Sequence, residues 1–358
     1  MLRPVVKRDV SDLRRRLIAW YRRHRRAFPW RLTRDPYRVW VSEIMLQQTR
    51  ADVATPYYER FVALFPTVRA LARAPEQRVL AAWSGLGYYR RARHLHAAAG
   101  IVVREHAGRI PTDAHAFGAL PGVGRYTMGA VLSMGFGRPL PVLDGNVARV
   151  LTRLTARRLS HRRHSDAREL WRTAEAWMPP AAGRGAIALG EWNQALMELG
   201  ATVCTPRSPR CGDCPVQRHC RASAMGTPEA FPEVMPRRAS ERVRRAIAVL
   251  EHAGRVLVVP REGRLLAGLW EPPGVDLAAG ADAGAALRAR LAGLGMRARV
   301  RDSGRRIAHV ITHRAITVEL WTAAADPPAA ARERWRWARS GSRTLALTAL
   351  ARKVLTGF

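Results

Sequence analysis

All four cysteines of the chain fall between Cys204 and Cys220, in the pattern C-x6-C-x2-C-x5-C. A disulfide framework scatters its cysteines, so this crowding reads as a metal site in a reducing compartment. Four thiolates can hold zinc or an iron–sulfur cluster. A zinc ribbon normally shows two C-x2-C pairs. Here there is one, Cys211 and Cys214, with longer outer spacings, which leans towards a [4Fe–4S] cluster.

The 358 residues suggest two or three domains. Apolar residues at 47% and charged residues at 25% exclude wholesale disorder. Lys+Arg is 61 against Asp+Glu 28, a net +33 that calls for a polyanionic partner, nucleic acid before an anionic membrane surface. No apolar run approaches the ~20 residues of a transmembrane helix. The N-terminal Met1–Arg8 stretch lacks an apolar signal core, so a cytoplasmic protein is expected. Lysine stands only at Lys7 and Lys353; every other basic residue is arginine. Arginine forks onto phosphate, but it cannot act as an amine nucleophile.

The first two-thirds reads as successive helices. Asp35-Pro36 is an N-cap followed by proline, opening a helix from Tyr37 to about Thr49, and Thr55-Pro56 repeats the signal. Further helical stretches are expected at 76–83, 90–106, 114–119, 126–134, 147–154, 165–177 and 191–199. After Cys220 the texture changes to a proline-bearing linker. Beyond it, 246–250 and 256–259 read as a hairpin, with strands at 298–301, 306–311 and 316–321 and helices near 283–294 and 345–355. The expected organisation is a mostly α domain at 1–222, a linker at 223–243 and an α+β domain at 244–358.

Leu120-Pro121-Gly122-Val123-Gly124-Arg125-Tyr126 lies between two helical segments. Gly122 and Gly124 permit backbone geometry that other residues resist, and the next helix aims its free N–H groups out of the turn. This is either an anion site for a DNA phosphate or a plain helix–helix turn. Asp144, just ahead of another helix in Val142-Leu143-Asp144-Gly145-Asn146-Val147, is either an N-cap or a carboxylate facing a sugar.

Turn, aspartate and cysteine spacing together resemble the endonuclease III superfamily of helix-hairpin-helix DNA glycosylases, and within it the adenine-excising branch. Phe28-Pro29-Trp30-Arg31, the segment from Trp40 to Thr49, and Gly85-Leu86-Gly87-Tyr88-Tyr89 carry the likeness further. Gly268-Leu269-Trp270-Glu271-Pro272-Pro273-Gly274 extends it into the C-terminal domain. The resemblance implies a six-helix barrel with a [4Fe–4S] module held by Cys204, Cys211, Cys214 and Cys220. It implies excision of adenine from double-stranded DNA opposite 8-oxoguanine or guanine, by a monomer at the bacterial nucleoid.

The target base must leave the stack before its glycosidic bond can be reached. The resemblance gives protonation of adenine to Glu43, and its apolar neighbours Val39, Trp40, Val41, Ile44, Met45 and Leu46 agree with a raised pKa. A solvent-facing residue of an amphipathic helix is the bland alternative. Asp144 would stabilise the oxocarbenium-like sugar, with Asn146 hydrogen-bonded beside it. Tyr126 stands where strand-cutting relatives carry a Schiff-base lysine, so a monofunctional enzyme is expected. Gln48 and Tyr88 match positions that wedge into the stack, and Arg31 matches one near the adenine pocket.

The C-terminal domain resembles a Nudix fold. The helix after Gly274 lacks the glutamates that hold Mg²⁺, so lesion recognition rather than hydrolysis is expected. Ile311-Thr312-His313 matches a Phe-Ser-His loop that reads 8-oxoguanine; Thr312 keeps the hydroxyl, His313 the imidazole, and Ile311 loses the aromatic wedge. The competing readings are a thymine glycosylase acting on G:T mismatches and a non-catalytic iron–sulfur DNA-binding protein.

Overall fold

The computed structural model describes residues 7–181, 188–233, 239–262, 265–325, 334–339, 341–342 and 344–357. They form two compact units. The first comprises Met1–Arg73 and His94–Pro236, the second Ala74–Arg93 and Arg237–Phe358. The division is therefore not a single cut at the linker, because Ala74–Arg93 group with the C-terminal part. Residues 234–238 of the expected linker lie outside the described residues.

The chain runs through α1 (Lys7–His24), α2 (Pro36–Leu46), α3 (Ala51–Leu64), α4 (Val68–Arg73), α5 (Glu76–Trp83), α6 (Arg90–Glu105) and α7 (Ala114–Gly118). It continues through α8 (Arg125–Phe136), α9 (Gly145–Thr155), α10 (His164–Ala176), α11 (Leu189–Thr202) and α12 (Arg221–Ala224). The core of the first unit joins Leu13, Leu17 and Tyr21 of α1, Val147 to Leu154 of α9, Leu170 of α10 and Trp192 to Leu199 of α11. Cys204, Cys214 and Cys220 pack against this core. Asp35 caps α2 by accepting from the Tyr37 N–H, with Pro36 in the first turn, as read from sequence. Helix α3, however, starts at Ala51 and carries Pro56 inside it rather than at its head. Pro56 is exposed, so the carbonyl it leaves without a helical partner can be hydrated.

Strands β1 (Glu241–Val249), β5 (Gly274–Leu277), β6 (Arg299–Ile311) and β7 (Arg314–Ala324) form one sheet in the order β5-β1-β7-β6. The β1–β7 pairing is parallel and the others antiparallel. A smaller sheet joins β2 (Glu251–His252), β3 (Arg255–Pro260), β4 (Trp270–Glu271) and β8 (Arg336–Ala338). Helices α13 (Ala283–Gly293) and α14 (Ala349–Thr356) pack against separate apolar clusters of this unit. Two sequence readings are corrected. The expected hairpin shrinks to β2–β3, because β1 leaves for the larger sheet. The two strands expected at 298–311 are one, β6, interrupted by an irregularity between Asp302 and Arg306 where Gly304 is left-handed.

Close backbone approach places the segment that leads into α9. A Cβ on Gly129 of α8 would lie 2.1 Å from the Pro141 carbonyl oxygen, and one on Gly200 of α11 would lie 2.7 Å from Asn146 Cβ. These contacts set residues 141–146 against α8 and α11. Gly129→Ala is expected to cost about 3 kcal/mol or more, since backbone must move to admit the methyl group; the urea midpoint at constant m-value measures it, and an unshifted midpoint contradicts the packing.

Candidate active site

Helix α2 is buried from Val39 to Met45, so Glu43 has no solvent-facing side. It is 3% exposed and accepts a 2.7 Å hydrogen bond at Oε2 from the Tyr126 hydroxyl on α8. Burial pushes its carboxyl up to about 7; the Asp144 charge adds to this, while the Tyr126 bond opposes it. Asp144 caps α9, with Oδ1 accepting from the Val147 N–H at 2.7 Å and Oδ2 from Asn146 Nδ2 at 3.0 Å. Burial raises its pKa, against those hydrogen bonds and the charge of Arg149.

Glu43, Asp144, Tyr126, Asn146, Arg31 and Gln48 all line one cavity of about 860 Å³. The N-cap reading of Asp144 holds, and the cap bond fixes its carboxylate on the cavity wall. Gln48 lies just beyond α2 with φ 58°, at the rim of the cavity.

Another carboxylate, missed from sequence, lines the same cavity. Glu198 of α11 is fully buried and accepts from Arg26 N at 3.0 Å, Arg26 Nε at 2.9 Å, Arg26 Nη2 at 2.8 Å and Arg31 Nη2 at 2.7 Å. Burial pushes its pKa up, but the two guanidiniums outweigh that and hold it at about 2. The available signal was a polar stripe at helical spacing along α11. Glu191 pairs with Arg22, Gln194 accepts from the Tyr21 hydroxyl, and Glu198 holds Arg26 and Arg31.

In the α7–α8 turn only Gly122 is left-handed, at φ 76°, and a Cβ there would meet His94 Cβ at 2.7 Å. Gly124 has ordinary φ −94° and nothing within 4 Å of a built Cβ. The expectation of special backbone geometry at both glycines thus holds for Gly122 alone. Gly124 leaves open space at the N-terminus of α8, where backbone N–H groups can be approached.

All four cysteines line a further cavity beneath Arg153. Burial pushes the Cys214 thiol up to about 12 and raises Cys220 as well, so thiolates at these positions need a cationic partner. Four soft thiol donors around one cavity are the ligand set of an iron–sulfur cluster, which takes one thiolate per iron. Arg153 Nη1 lies 3.3 Å from Cys204 Sγ.

In the second unit, Tyr88 has φ 50° and is 42% exposed. Thr312 and His313 form the turn between β6 and β7, with Thr312 left-handed and its hydroxyl donating to the Ile311 carbonyl at 2.7 Å. Ile311 packs on the apolar cluster around α14, whereas its neighbour Val310 is 68% exposed. Helix α13 reads Ala-Gly-Ala-Ala-Leu-Arg-Ala-Arg-Leu-Ala-Gly and carries no carboxylate for Mg²⁺.

Three family models match the chain. Residues 41–178 match the HhH-GPD superfamily of base excision DNA repair proteins, 204–220 the iron-sulfur binding domain of endonuclease III, and 245–357 the NUDIX domain. Over 322 residues, 75% of this chain, it is 40% identical to the adenine DNA glycosylase of Rattus norvegicus, covering 61% of that protein. Against the Homo sapiens adenine DNA glycosylase the identity is 38%, over 75% of this chain and 58% of that protein. The chain thus spans less than two-thirds of the length of either relative. The solved structure of a thermostable thymine-DNA glycosylase aligns with TM-score 0.55 at 28% identity, covering 61% of this chain and 98% of that one.

Because its pKa is raised, Glu43 weakens the fold when ionised and not when neutral. Its contribution is fullest below the ordinary carboxyl value of 4.5 and is lost as pH rises through about 7. Glu43→Gln should therefore raise Tm at pH 8 and leave it nearly unchanged at pH 5. Equal shifts at both pH values, read by thermal unfolding, would contradict a buried titrating carboxyl.

Proposed function

We propose, on the premise that this chain is a homologue of the adenine DNA glycosylases, that it is a monofunctional base-excision-repair glycosylase. It hydrolyses the N-glycosidic bond of adenine opposite 8-oxoguanine or guanine in double-stranded DNA and leaves an abasic site. One observation carries the reading: a carboxyl held near neutral pKa and a capped carboxylate line the same cavity.

Adenine leaves poorly as an anion, so the base must be protonated first. With Oε2 accepting from Tyr126, Oε1 of Glu43 is left to carry and donate the proton. As the bond breaks, positive charge develops on the sugar. Asp144, fixed by Val147 N–H and Asn146, offers negative charge without reorganising. Water completes hydrolysis. Tyr126 is a phenol, the only lysines are Lys7 and Lys353, and among the described residues no lysine lines the cavity to form an imine with the opened sugar.

Arg31, already bound to Glu198, would face the extruded base. Gln48 and Tyr88 would fill the vacated stack, Gly122 and Gly124 would present backbone N–H groups to phosphate, and Thr312 and His313 would read the opposite base. Cys204, Cys211, Cys214 and Cys220 would hold a [4Fe–4S] cluster, whose iron would neutralise four thiolates and tie their loop together. The net charge of +33 suits a monomer working on the nucleoid.

Single-turnover gels with A:8-oxoguanine, A:G and T:G duplexes, with and without hot alkali, test the assignment. Cleavage of the first two only after alkali is expected; release of thymine, or nicking without alkali, overturns it. Asp144→Asn should abolish excision while DNA binding persists. Excision needs Glu43 protonated and Asp144 ionised. The rate should therefore fall as pH rises through about 7, and fall again on acidification as Asp144 takes up its proton. An alkaline limb well above pH 8 would remove Glu43 from the acid role.

A further inference from the structure

Two adjacent tyrosines have opposite environments. Tyr88 is 42% exposed and Tyr89 is 2% exposed. The preceding Gly85 and Gly87 have φ of 103° and 78°, and Tyr88 itself has φ 50°. A tyrosine in the left-handed region persists only where its surroundings over-determine it.

What determines it comes from the far end of the chain. The Ser84 hydroxyl, at the end of α5, donates to the Leu347 carbonyl at 2.7 Å, and the Tyr89 hydroxyl donates to the same oxygen at 2.8 Å. The Tyr89 oxygen in turn accepts from Gly85 N at 3.0 Å. Arg352 of α14 donates to Ser84 Oγ from Nε at 3.0 Å and from Nη2 at 2.9 Å. Leu347 is fully buried and precedes the Thr348 cap of α14, so its carbonyl is a fixed anchor. Within the loop, Trp83 Nε1 and Arg91 Nη2 each donate to the Gly87 carbonyl at 3.1 Å, and the Arg91 guanidinium lies 5.2 Å from the Tyr88 ring centroid. The two bonds to Leu347 are buried, and those from Arg352 are charge-assisted and partly buried, which makes them stronger than neutral ones.

We propose that Arg352 and the Leu347 carbonyl are a buttress for the Ser84–Tyr89 loop, so that the C-terminal unit aims Tyr88 into the DNA stack. Arg352 is a positioning residue: it acts through Ser84 and touches no substrate. The C-terminal unit then has two separate routes to discrimination. One is contact through Thr312 and His313, and the other is holding a residue encoded in the helical part of the sequence. The inference rests on Tyr88 being the wedge residue of the proposed function.

The test uses the full chain and a duplex carrying 2-aminopurine beside 8-oxoguanine opposite adenine. Two quantities are read: the fluorescence rise on binding, which reports local unstacking, and the ratio of single-turnover excision rates at A:8-oxoguanine and A:G. Tyr88→Ala, Arg352→Ala and Ser84→Ala should each lower both readouts by about tenfold, while the Arg352→Ala/Tyr88→Ala double variant should be no worse than Tyr88→Ala alone. Arg352→Lys, which keeps a donor, should restore part of the loss. Ser84→Ala keeps the test open if Arg352→Ala fails to fold. Wild-type readouts from both Arg352→Ala and Ser84→Ala overturn the proposal, as do losses that multiply with those of Tyr88→Ala. An inert Tyr88→Ala overturns it too, by removing the wedge. The fluorescence readout needs no excision, so a chain inactive on adenine overturns the functional reading while the loop measurement still decides this one.

Discussion

The hydrogen bond from Tyr126 to Glu43 exists because α2 and α8 bury each other's faces, and the chemistry of the cavity depends on it. A carboxyl buried on α2 loses solvation when it ionises, so its pKa is pushed up to about 7. Tyr126 opposes this by stabilising the charged form. The same burial raises the pKa of the phenol, so it stays a donor. Neither residue would be tuned on an exposed helix face.

Two glutamates in one cavity are driven to opposite protonation states. Glu43 has a single neutral donor, whereas Glu198 has two guanidiniums. Burial acts on both in the same direction, so the partners decide the outcome. A cavity with one neutral acid and one permanent carboxylate can separate proton donation from the binding of a polar edge.

Much of this was legible in the sequence, and the limits are physical. The Asp35-Pro36 and Asp144 caps are local signals, so α2 and α9 begin where the residues say they do. Glu43 was legible through the likeness of the motif around it, since its mostly apolar neighbours alone left a solvent-facing helical residue open. Thr55-Pro56 misled because an exposed proline is tolerated inside a helix when water can take the orphan carbonyl. The 246–259 stretch misled because alternation identifies strands without saying which sheet each joins. Glu198 was hidden because its partners, Arg26 and Arg31, lie more than 160 residues away along the chain. The grouping of Ala74–Arg93 with the C-terminal residues depends on hydrogen bonds to Leu347 and Arg352, which no local pattern announces.

The arginine excess has a second meaning beyond phosphate. Arg149 is buried and donates to the carbonyls of Gly145, Gly200 and Cys204 and to the Asn146 side chain. Arg153, one turn further along α9 and 1% exposed, donates to the carbonyls of Thr205, Pro206 and Phe231 and approaches Cys204 Sγ. These carbonyls belong mostly to irregular backbone around the cysteine loop, which has no helix or sheet to satisfy it. A buried carbonyl left without a partner is destabilising, and a planar fork of five donors can serve several at once where an ammonium could not. The same α9 residues run from Asp144 through Asn146 to Arg149 and the cysteine loop, so one set of guanidiniums both satisfies the loop and seats Asn146 beside the Asp144 carboxylate. The formal charge therefore overstates the arginines free at the surface, because part of it is committed to holding backbone in place.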